Sequence, residues 1–147
     1  ILIHHNPNPA RNLNRMFDHE KLRVYQEALQ FASMVEAFWE RIKKSAAIYD
    51  QLDRARTSIL LNIAEGNGRY TAADRCRFFD MARGSVLECA ACLDLLAVKN
   101  LIAKTELETG KASLGKIVSM LVGLIRSNSP DRLHEEPVAY RVGGRQD

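Results

Sequence analysis

Apolar positions recur at three- and four-residue spacing in four long stretches of the chain, which is the period of an α-helix. The first stretch predicts a helix over residues 18–44, with Asp18 as its N-cap. The second predicts a helix over 48–66 that Gly66 closes with a left-handed C-cap. The apolar stripes of these two helices are Leu22, Leu29, Ala32, Val35, Trp39 and Ile42, then Ile48, Leu52, Ala55, Ile59 and Ile63.

Two further helices follow the same rule. The third is predicted over residues 71–99 and begins with a capping box from Thr71 to Asp74. The fourth begins with a second candidate box, from Thr105 to Glu108. Its apolar stripe is formed by Leu114, Ile117, Val118, Leu121, Leu124 and Ile125.

No segment alternates convincingly at period two, so a β-sheet is not expected. Four amphipathic helices with short connections predict an all-α protein, an antiparallel up-and-down four-helix bundle over residues 17–127. Residues 1–16 contain two Asn-Pro pairs and no periodicity, which predicts a flexible N-terminal arm. Residues 128–147 are expected to form a C-terminal tail.

Composition narrows the class of protein. The chain has 147 residues, of which 46% are hydrophobic, and this suits one globular domain with its own core. The sequence indicates neither a signal peptide nor a membrane-spanning segment. Its odd count of three cysteines predicts reduced thiols in a cytoplasmic protein. The net charge of +3 permits nucleic-acid binding without requiring it.

Few residues suit catalysis or metal binding. None of the four histidines falls inside a predicted helix beyond its first turn, and the Glu-x-x-His pairs of di-iron bundles do not occur. Cys89 and Cys92 form a Cys-x-x-Cys spacing, but within a helix and with no second cysteine pair. They are interpreted as small apolar residues of a packed helix. We therefore expect no catalytic residue, no metal and no cofactor.

The segment SILLNIAEGNGR, residues 58–69, contains two closely spaced glycines. A phosphate-binding loop would need a Lys-Ser/Thr pair and would follow a strand, whereas this segment has no such pair and follows a predicted helix. The glycines are interpreted as the end of a helix and a reversal of the chain.

A polar stripe runs along the second predicted helix. It consists of Gln51, Arg54, Ser58, Asn62 and Glu65. Apolar residues flank it on both sides, so we expect it to be at least half buried and to require partners. Antiparallel packing brings the third helix alongside and predicts an Arg54–Glu88 ion pair. Ser58, Asn62 and Ser85 would hydrogen-bond around that pair. The alternative is an exposed polar face with incidental pairing.

Two positions on the outer side of the second predicted helix are apolar, namely Leu60 and Ala64. Outward apolar residues beside a bundle predict a contact between subunits. Homo-oligomerisation is therefore expected from this feature.

Basic residues form two groups. One follows the turn between the second and third helices and consists of Arg69, Arg75 and Arg77, with Tyr70 among them. The other ends the first helix, at the opposite end of the bundle, and consists of Lys43 and Lys44. Repeated around a ring of subunits, either group would present a positive surface to a phosphate backbone. The alternative is a solvated face balanced by Asp74 and Asp80.

The segments YDQLDRARTSILLNIAEGNGR and FFDMARGSVLECAACLDLL closely resemble the four-helix-bundle family encoded in intervening sequences of bacterial large-subunit ribosomal RNA. That family is related in fold to the accessory variability determinant protein of diversity-generating retroelements. The resemblance covers about residues 17–127. Its signature positions are Gln51, Arg54, Ala55, Ser58, Ile59, Asn62, Ile63, Ala64, Glu65, Gly66, Ala82, Gly84, Ser85 and Glu88.

The sequence departs from the family pattern at two positions of the second helix. Arg56 replaces a usually small residue, and Leu60 stands where proline is frequent. Both lie on the outer side of the predicted helix, so we expect them to alter a subunit contact rather than the fold.

The resemblance implies a non-enzymatic protein that assembles as a homopentameric ring. The retroelement relative binds nucleic acid and a reverse transcriptase. We therefore expect a homo-oligomer that binds RNA or DNA through its basic surface, with Arg69, Arg75 and Arg77 as the first candidates. The alternative function is a structural adaptor that scaffolds a protein partner such as a reverse transcriptase.

Overall fold

A computed structural model describes residues 17–129. The predicted arm, residues 1–16, and the predicted tail beyond residue 129 lie outside the described part. A 3₁₀ turn, Asp18–Lys21, precedes five α-helices. These are α1 (Arg23–Glu36), α2 (Trp39–Ile42), α3 (Ala46–Gly68), α4 (Ala72–Val98) and α5 (Lys104–Asn128). The described residues contain no β-strand, so the all-α prediction is confirmed.

The helices pack as a four-membered bundle, with α1 and α2 together forming its first member. Contacts run from α1 to α3, from α3 to α4, from α4 to α5 and from α5 back to α1. Most residues of the stripes predicted for the second and fourth helices meet at the centre, which confirms the bundle. The stripe predicted for the first helix is largely wrong, because α1 buries Val24, Ala28, Phe31 and Val35, whereas Trp39 is exposed. The largest fully buried side chains are Phe31, Val35, Ile42, Leu52, Ile59, Ile63, Phe79, Val86, Leu93, Leu96, Ile117 and Leu121.

The first predicted helix is not continuous. Leu22 adopts an extended conformation (φ −71°, ψ 128°) and separates the 3₁₀ turn from α1. Asp18 is therefore not the N-cap of the long helix; its carboxylate accepts a hydrogen bond from Asn67 Nδ2 at 2.9 Å instead. A second break follows Glu36, where the amide of Phe38 bonds the carbonyl of Val35 at 3.0 Å in 3₁₀ geometry.

The left-handed C-cap predicted at Gly66 is wrong. Gly66 lies inside α3, which continues to Gly68, and a Cβ on Gly66 would approach Phe79 Cε1 to 2.9 Å. Close packing against α4 therefore explains the glycine. Among residues 17–129, the non-glycine residue with a left-handed backbone is Asn100 (φ 56°), after α4. There Leu101 N–H bonds the Leu96 carbonyl at 2.9 Å, the outer bond of a Schellman motif.

One of the two predicted helix starts is confirmed and the other is misplaced. Thr71 is the N-cap of α4, and its hydroxyl accepts a hydrogen bond from Asp74 N–H at 3.2 Å, as predicted. The box from Thr105 to Glu108 is wrong by two residues. Ala103 is the N-cap of α5, and its amide donates to Glu106 Oε1 at 2.8 Å.

Candidate functional site

The connection between α3 and α4 is a short turn of three residues, Arg69–Thr71. Arg69 and Thr71 both have extended backbones, with ψ values of 147° and 146°. Hydrogen bonds fix the turn at both ends: Arg69 N–H donates to the Gly66 carbonyl at 3.3 Å, and Thr71 caps α4. Tyr70, between them, is fully exposed at 103% of its reference area.

Two arginines of the predicted basic group meet over one aromatic ring. The guanidinium of Arg69 lies 4.5 Å from the centroid of Phe78, and that of Arg77 lies 5.0 Å from the same centroid. Arg69 also pairs with Glu65 at 3.3 Å, and Arg77 with Asp74 at 3.8 Å. Because all four charged side chains are about half exposed or more, these ion pairs are weak.

Arg75 does not belong to that exposed group. Its side chain is partly buried, and it donates from Nη1 to the Asn67 carbonyl and from Nε to Asn128 Oδ1, both at 3.0 Å. These bonds join the end of α3 to the end of α5. Arg75 therefore stabilises the turn through hydrogen bonds on its inner side. Of the three predicted arginines, Arg69 and Arg77 are exposed and Arg75 has a structural role.

The second basic group lies at the other end of the bundle. Lys43 and Lys44 follow α2 and precede α3, and both are exposed. Lys43 pairs with Glu40 at 2.6 Å. Since α3 has 23 residues, about 34 Å of helix separates the lysines from the α3–α4 turn. The two basic groups are therefore separate surfaces.

The predicted polar stripe is present only in part. Ser85 Oγ donates to Ser58 Oγ at 2.9 Å, across the contact between α3 and α4. Asn62 Nδ2 donates to the same hydroxyl at 2.9 Å. These half-buried hydrogen bonds match the prediction for Ser58, Asn62 and Ser85. Gln51 and Glu65, at the ends of the stripe, are exposed.

The predicted ion pair between Arg54 and Glu88 is wrong. Both side chains are exposed, and they form no ion pair or hydrogen bond with each other within residues 17–129. Arg54 Nε instead donates to the Asp50 carbonyl of its own helix at 3.4 Å. Water solvates both charges where they stand, so the helices gain little by bringing them together.

The buried cation of α3 is Arg56, which is 8% exposed. It donates to Asp53 Oδ1 at 2.6 Å, to the Ala32 carbonyl at 2.8 Å and to the carboxylate of Glu36. Ala32 and Glu36 form the last turn of α1, where a cation also interacts favourably with the helix dipole. The expectation that Arg56 faces a neighbouring subunit is therefore wrong, because it links α3 to α1 within one chain.

One side of the α3–α4 pair exposes large apolar side chains. Leu61 on α3 lies one helical turn from the Ser58–Ser85 contact, and Met81 on α4 lies one turn away in the same direction. Arg54 and Glu88 lie one turn away in the other direction. We call this surface the α3–α4 face and define it by Arg54, Leu61, Met81, Gly84, Glu88 and Leu95.

The α3–α4 face differs from the outer surface predicted at Leu60 and Ala64. Leu60 is partly buried against the core of its own chain, so its predicted outward position is wrong. Ala64 is also partly buried. Leu61, the next residue, is 59% exposed and marks the exposed side of α3. A helical wheel drawn for α3 alone could not show which side is exposed, because the packing of α1 and α4 determines which sides of α3 are covered.

A groove of about 620 Å³ runs between α1 and α5 on another side of the bundle. Arg23 and Lys116 line it together with the amides of Gln26 and Gln30. Neither cation forms an ion pair or hydrogen bond within the described part of the chain. Sequence reasoning missed this groove, because the two cations are far apart along the chain.

Cys89 and Cys92 are poor nucleophiles, because burial raises the pKa of both thiols. All three cysteines are free and buried. Burial raises the pKa of the Cys89 thiol to about 12, and the nearby Cys92 and Glu88 act in the same direction. Among residues 17–129, no three histidine, cysteine or acidic side chains gather as a metal site would require. Over the same range, no helix is both long and apolar enough to cross a membrane.

Comparisons with known proteins bear on the fold and the family. The chain superimposes on a crystal structure of a protein with unknown function from the S23 ribosomal protein family of Bacteroides thetaiotaomicron VPI-5482. The TM-score is 0.64 at 23% sequence identity, over 70% of this chain and 98% of that chain. At this identity the likeness supports the fold alone. No curated protein matches the sequence.

The family profile described as 23S rRNA-intervening sequence protein matches residues 20–123, which span the bundle from the 3₁₀ turn to the last turns of α5. The resemblance inferred from the two motif segments is thereby confirmed. The chain belongs to the 23S rRNA-intervening sequence protein family.

Proposed function

We propose that this chain is a non-enzymatic, homo-oligomeric protein of the cytoplasm that binds RNA or DNA through its basic surface. The observation that carries the proposal is the pair of guanidinium groups, Arg69 and Arg77, held on the ring of Phe78 at an exposed turn. The cytoplasmic location is supported by three free thiols.

The chemistry of the turn favours phosphate as the ligand. A guanidinium stacked on an aromatic ring keeps its planar donors in a defined orientation, and those donors match phosphate oxygens. The carboxylates of Glu65 and Asp74 hold the arginines only through exposed ion pairs. Phosphate groups can replace such partners at small cost. Arg75 contributes by fixing the turn, and Lys43 and Lys44 form a second basic patch.

Assembly into a homo-oligomer, a pentamer as the family resemblance implies, is supported by the α3–α4 face. Leu61, Met81 and Leu95 expose apolar area that a second copy would cover. Arg54 and Glu88 lie on the same face and have no ion partner within residues 17–129, so two copies can pair them between subunits. Leu60 and Ala64, the positions first predicted for this contact, are partly buried and lie outside the α3–α4 face.

Gly84 gives a second reason to place a subunit contact there. A glycine inside a helix destabilises it by about 1 kcal/mol relative to alanine. Gly84 lies within α4, is exposed, and has no atom within 4 Å of the position of a Cβ. Nothing in the described part of the chain requires the glycine, whereas close approach of another backbone would.

Titration with salt tests the nucleic-acid function. Binding of labelled RNA and DNA is measured from about 50 to 200 mM salt, where phosphate contacts predict a steep loss of affinity. In the double variant Arg69→Gln/Arg77→Gln, the slope of log affinity against log salt concentration is expected to become shallower by about 2, because about two phosphate contacts are lost. The matched control, Arg23→Gln/Lys116→Gln, removes the same charge from the α1–α5 groove.

Two results would contradict the proposal. Absence of binding at low salt would remove the nucleic-acid function and favour the structural adaptor for a protein partner. A larger effect of the groove variant than of the turn variant would place the phosphate contacts in the groove. A third variant, Lys43→Gln/Lys44→Gln, measures how much the second basic patch contributes to the affinity for nucleic acid.

Sedimentation equilibrium tests the assembly. Leu61→Glu is expected to reduce the mass of the particle towards that of the single chain, because a charge enters the proposed contact. Phe17→Glu is the matched control, since Phe17 and Leu61 are both 59% exposed but only Leu61 lies on the α3–α4 face. A wild-type chain that sediments as a monomer, or equal behaviour of the two variants, would contradict this contact.

A further inference from the structure

Tyr70 is the most exposed large hydrophobic side chain in residues 17–129. It forms no hydrogen bond and no ring contact with any other described residue. Its neighbours Arg69 and Thr71 are both held by hydrogen bonds, so the ring projects from a fixed turn. A tyrosine has few rotatable bonds and loses little conformational entropy when its ring is covered, which makes it an effective anchor.

Two arginine side chains belong to the same exposed turn as this ring or to the helix that follows it. Arg69 precedes Tyr70 directly, and Arg77 shares the ring of Phe78 with Arg69. The turn therefore carries a free aromatic face next to two oriented cations. Proteins that bind single-stranded nucleic acid combine these two elements, since bases stack on the ring and phosphates contact the cations.

We propose that the α3–α4 turn is a base-stacking platform, with Tyr70 as the stacking residue and Arg69 and Arg77 as the phosphate contacts. The ligand is then RNA or DNA with unpaired bases. In a duplex both faces of each base are covered by neighbouring bases, so Tyr70 could not stack without first unstacking them. This inference rests on the proposed nucleic-acid function and specifies its substrate.

The other basic surfaces lack this combination. The groove between α1 and α5 has Arg23 and Lys116, but no aromatic residue lines it. At the opposite end, Trp39 packs against Tyr49 with ring centroids 4.1 Å apart, so that aromatic surface is already partly covered. Among the described surfaces, the turn is the one that joins a free ring to paired cations.

The test compares single strands with a duplex. Fluorescence anisotropy measures binding of an oligouridine and an oligodeoxythymidine of about 12 nucleotides, and of a duplex of the same length. Tyr70→Ala removes the ring, and Tyr70→Phe keeps the ring without its hydroxyl. Val98→Ala is the matched control, because it trims an exposed apolar side chain at the opposite end of α4 from the turn.

Tyr70→Ala is expected to weaken binding of the single strands by about 5- to 100-fold, while Tyr70→Phe stays within about twofold of the wild type. The salt slope remains that of the wild type in Tyr70→Ala, because no charge is lost. Val98→Ala leaves all affinities unchanged. The duplex binds more weakly than the single strands and does not respond to Tyr70. The two single strands together show whether RNA, DNA or both are bound.

Failure of this inference differs from failure of the proposed function. If the wild type binds nucleic acid but Tyr70→Ala binds single strands equally well, the stacking platform is overturned and the nucleic-acid function stands. A wild type that prefers the duplex to the single strands would also overturn the stacking platform and leave the nucleic-acid function standing. If the wild type binds none of the three nucleic acids at low salt, the proposed function itself fails, and this inference with it.

Discussion

Arg41 and Glu106 form a bidentate ion pair that joins α2 to the first turn of α5. The two Nη atoms of Arg41 donate to the two carboxylate oxygens of Glu106 at 2.6 and 2.5 Å. Glu106 also accepts the amide of Ala103, the N-cap of its own helix, at 2.8 Å. One carboxylate therefore fixes both the start of α5 and its position against the first member of the bundle.

This pair predicts an acid-sensitive contribution to stability. Hydrogen bonds from Arg41 and from the Ala103 amide lower the pKa of Glu106 from its ordinary value of 4.5 to about 2. A carboxylate whose pKa is lowered by folding stabilises the protein above the unfolded pKa. That contribution is therefore present above pH 4.5 and is lost as the pH falls towards 2.

Chemical denaturation at several pH values measures this effect. Glu106→Gln is expected to lower the free energy of unfolding near neutral pH, and its difference from the wild type is expected to shrink as the pH falls through this window. Glu108→Gln is the control, because Glu108 is exposed and lies 4.0 Å from Lys104. A Glu106→Gln deficit that does not change with pH would contradict the assignment.

Arg56 and Arg54, two residues apart on α3, are expected to respond very differently to substitution. Arg56→Ala removes a buried cation that holds the end of α1, and we expect a loss of about 2–3 kcal/mol in the free energy of unfolding. Its carboxylate partners Asp53 and Glu36 are largely exposed and can be solvated after the change, which keeps the loss below the upper range for buried pairs. Arg54→Ala is expected to stay within about 0.5 kcal/mol of the wild type.

Urea unfolding of both variants checks this prediction. Arg56→Met separates the two roles of the side chain, because it keeps much of the buried volume and removes the charge. An intermediate loss in Arg56→Met would show that packing and hydrogen bonding both contribute. Equal stability of Arg56→Ala and Arg54→Ala would show that Arg56 does not hold α1 to α3.

The contrast between these two arginines shows what the sequence could predict. Helical periodicity identifies most core positions of α3 and α5 and the four members of the bundle, because such a stripe depends mainly on spacing within one helix. The sequence prediction assigned the buried cation to Arg54, because it considered a helical wheel for that helix alone. The true buried cation, Arg56, depends on the carbonyl of Ala32 and the carboxylate of Glu36, and the sequence does not indicate that α1 ends beside it.

The same distinction applies to the candidate site. The sequence predicted Arg69 and Arg77 as exposed basic residues, but their common ring, Phe78, is visible only once the turn is folded. Arg75 has the same residue type and lies nearby in the sequence, yet it points towards the end of α5. Local sequence therefore gives the charge of the turn, and tertiary contacts decide which charges remain available.

Burial of the cysteines predicts slow reaction with thiol reagents. The thiolate is the reactive form, and burial raises the pKa of Cys89 to about 12, so little thiolate exists near pH 8. We expect an aromatic disulfide reagent to label the native protein slowly, at a rate set by opening of the bundle. Full labelling of all three cysteines is expected in denaturant, which is the control. Rapid labelling of the native protein would show that α4 opens locally.

Two glycines inside helices are expected to respond in opposite ways to alanine. At Gly66 a Cβ would lie 2.9 Å from Phe79 Cε1 and 3.0 Å from Phe78 Cβ, so α3 and α4 would have to move apart. We expect Gly66→Ala to lower the free energy of unfolding by about 1–3 kcal/mol despite the better helix propensity of alanine. At Gly84 no other described residue comes within 4 Å of the added Cβ. Gly84→Ala is therefore expected to raise the free energy of unfolding by about 0.5–1 kcal/mol.

Urea unfolding of dilute protein, where subunits are separate, measures these two effects on a single chain. Sedimentation equilibrium then gives Gly84→Ala a second readout. If the α3–α4 face packs against another copy, the added methyl group enters that contact and weakens association even though it stabilises the single chain. A Gly84→Ala protein that is more stable and associates as the wild type does would exclude Gly84 from the subunit contact. A Gly66→Ala protein as stable as the wild type would show that α3 and α4 can separate without loss, contrary to the packing of Gly66 on Phe79.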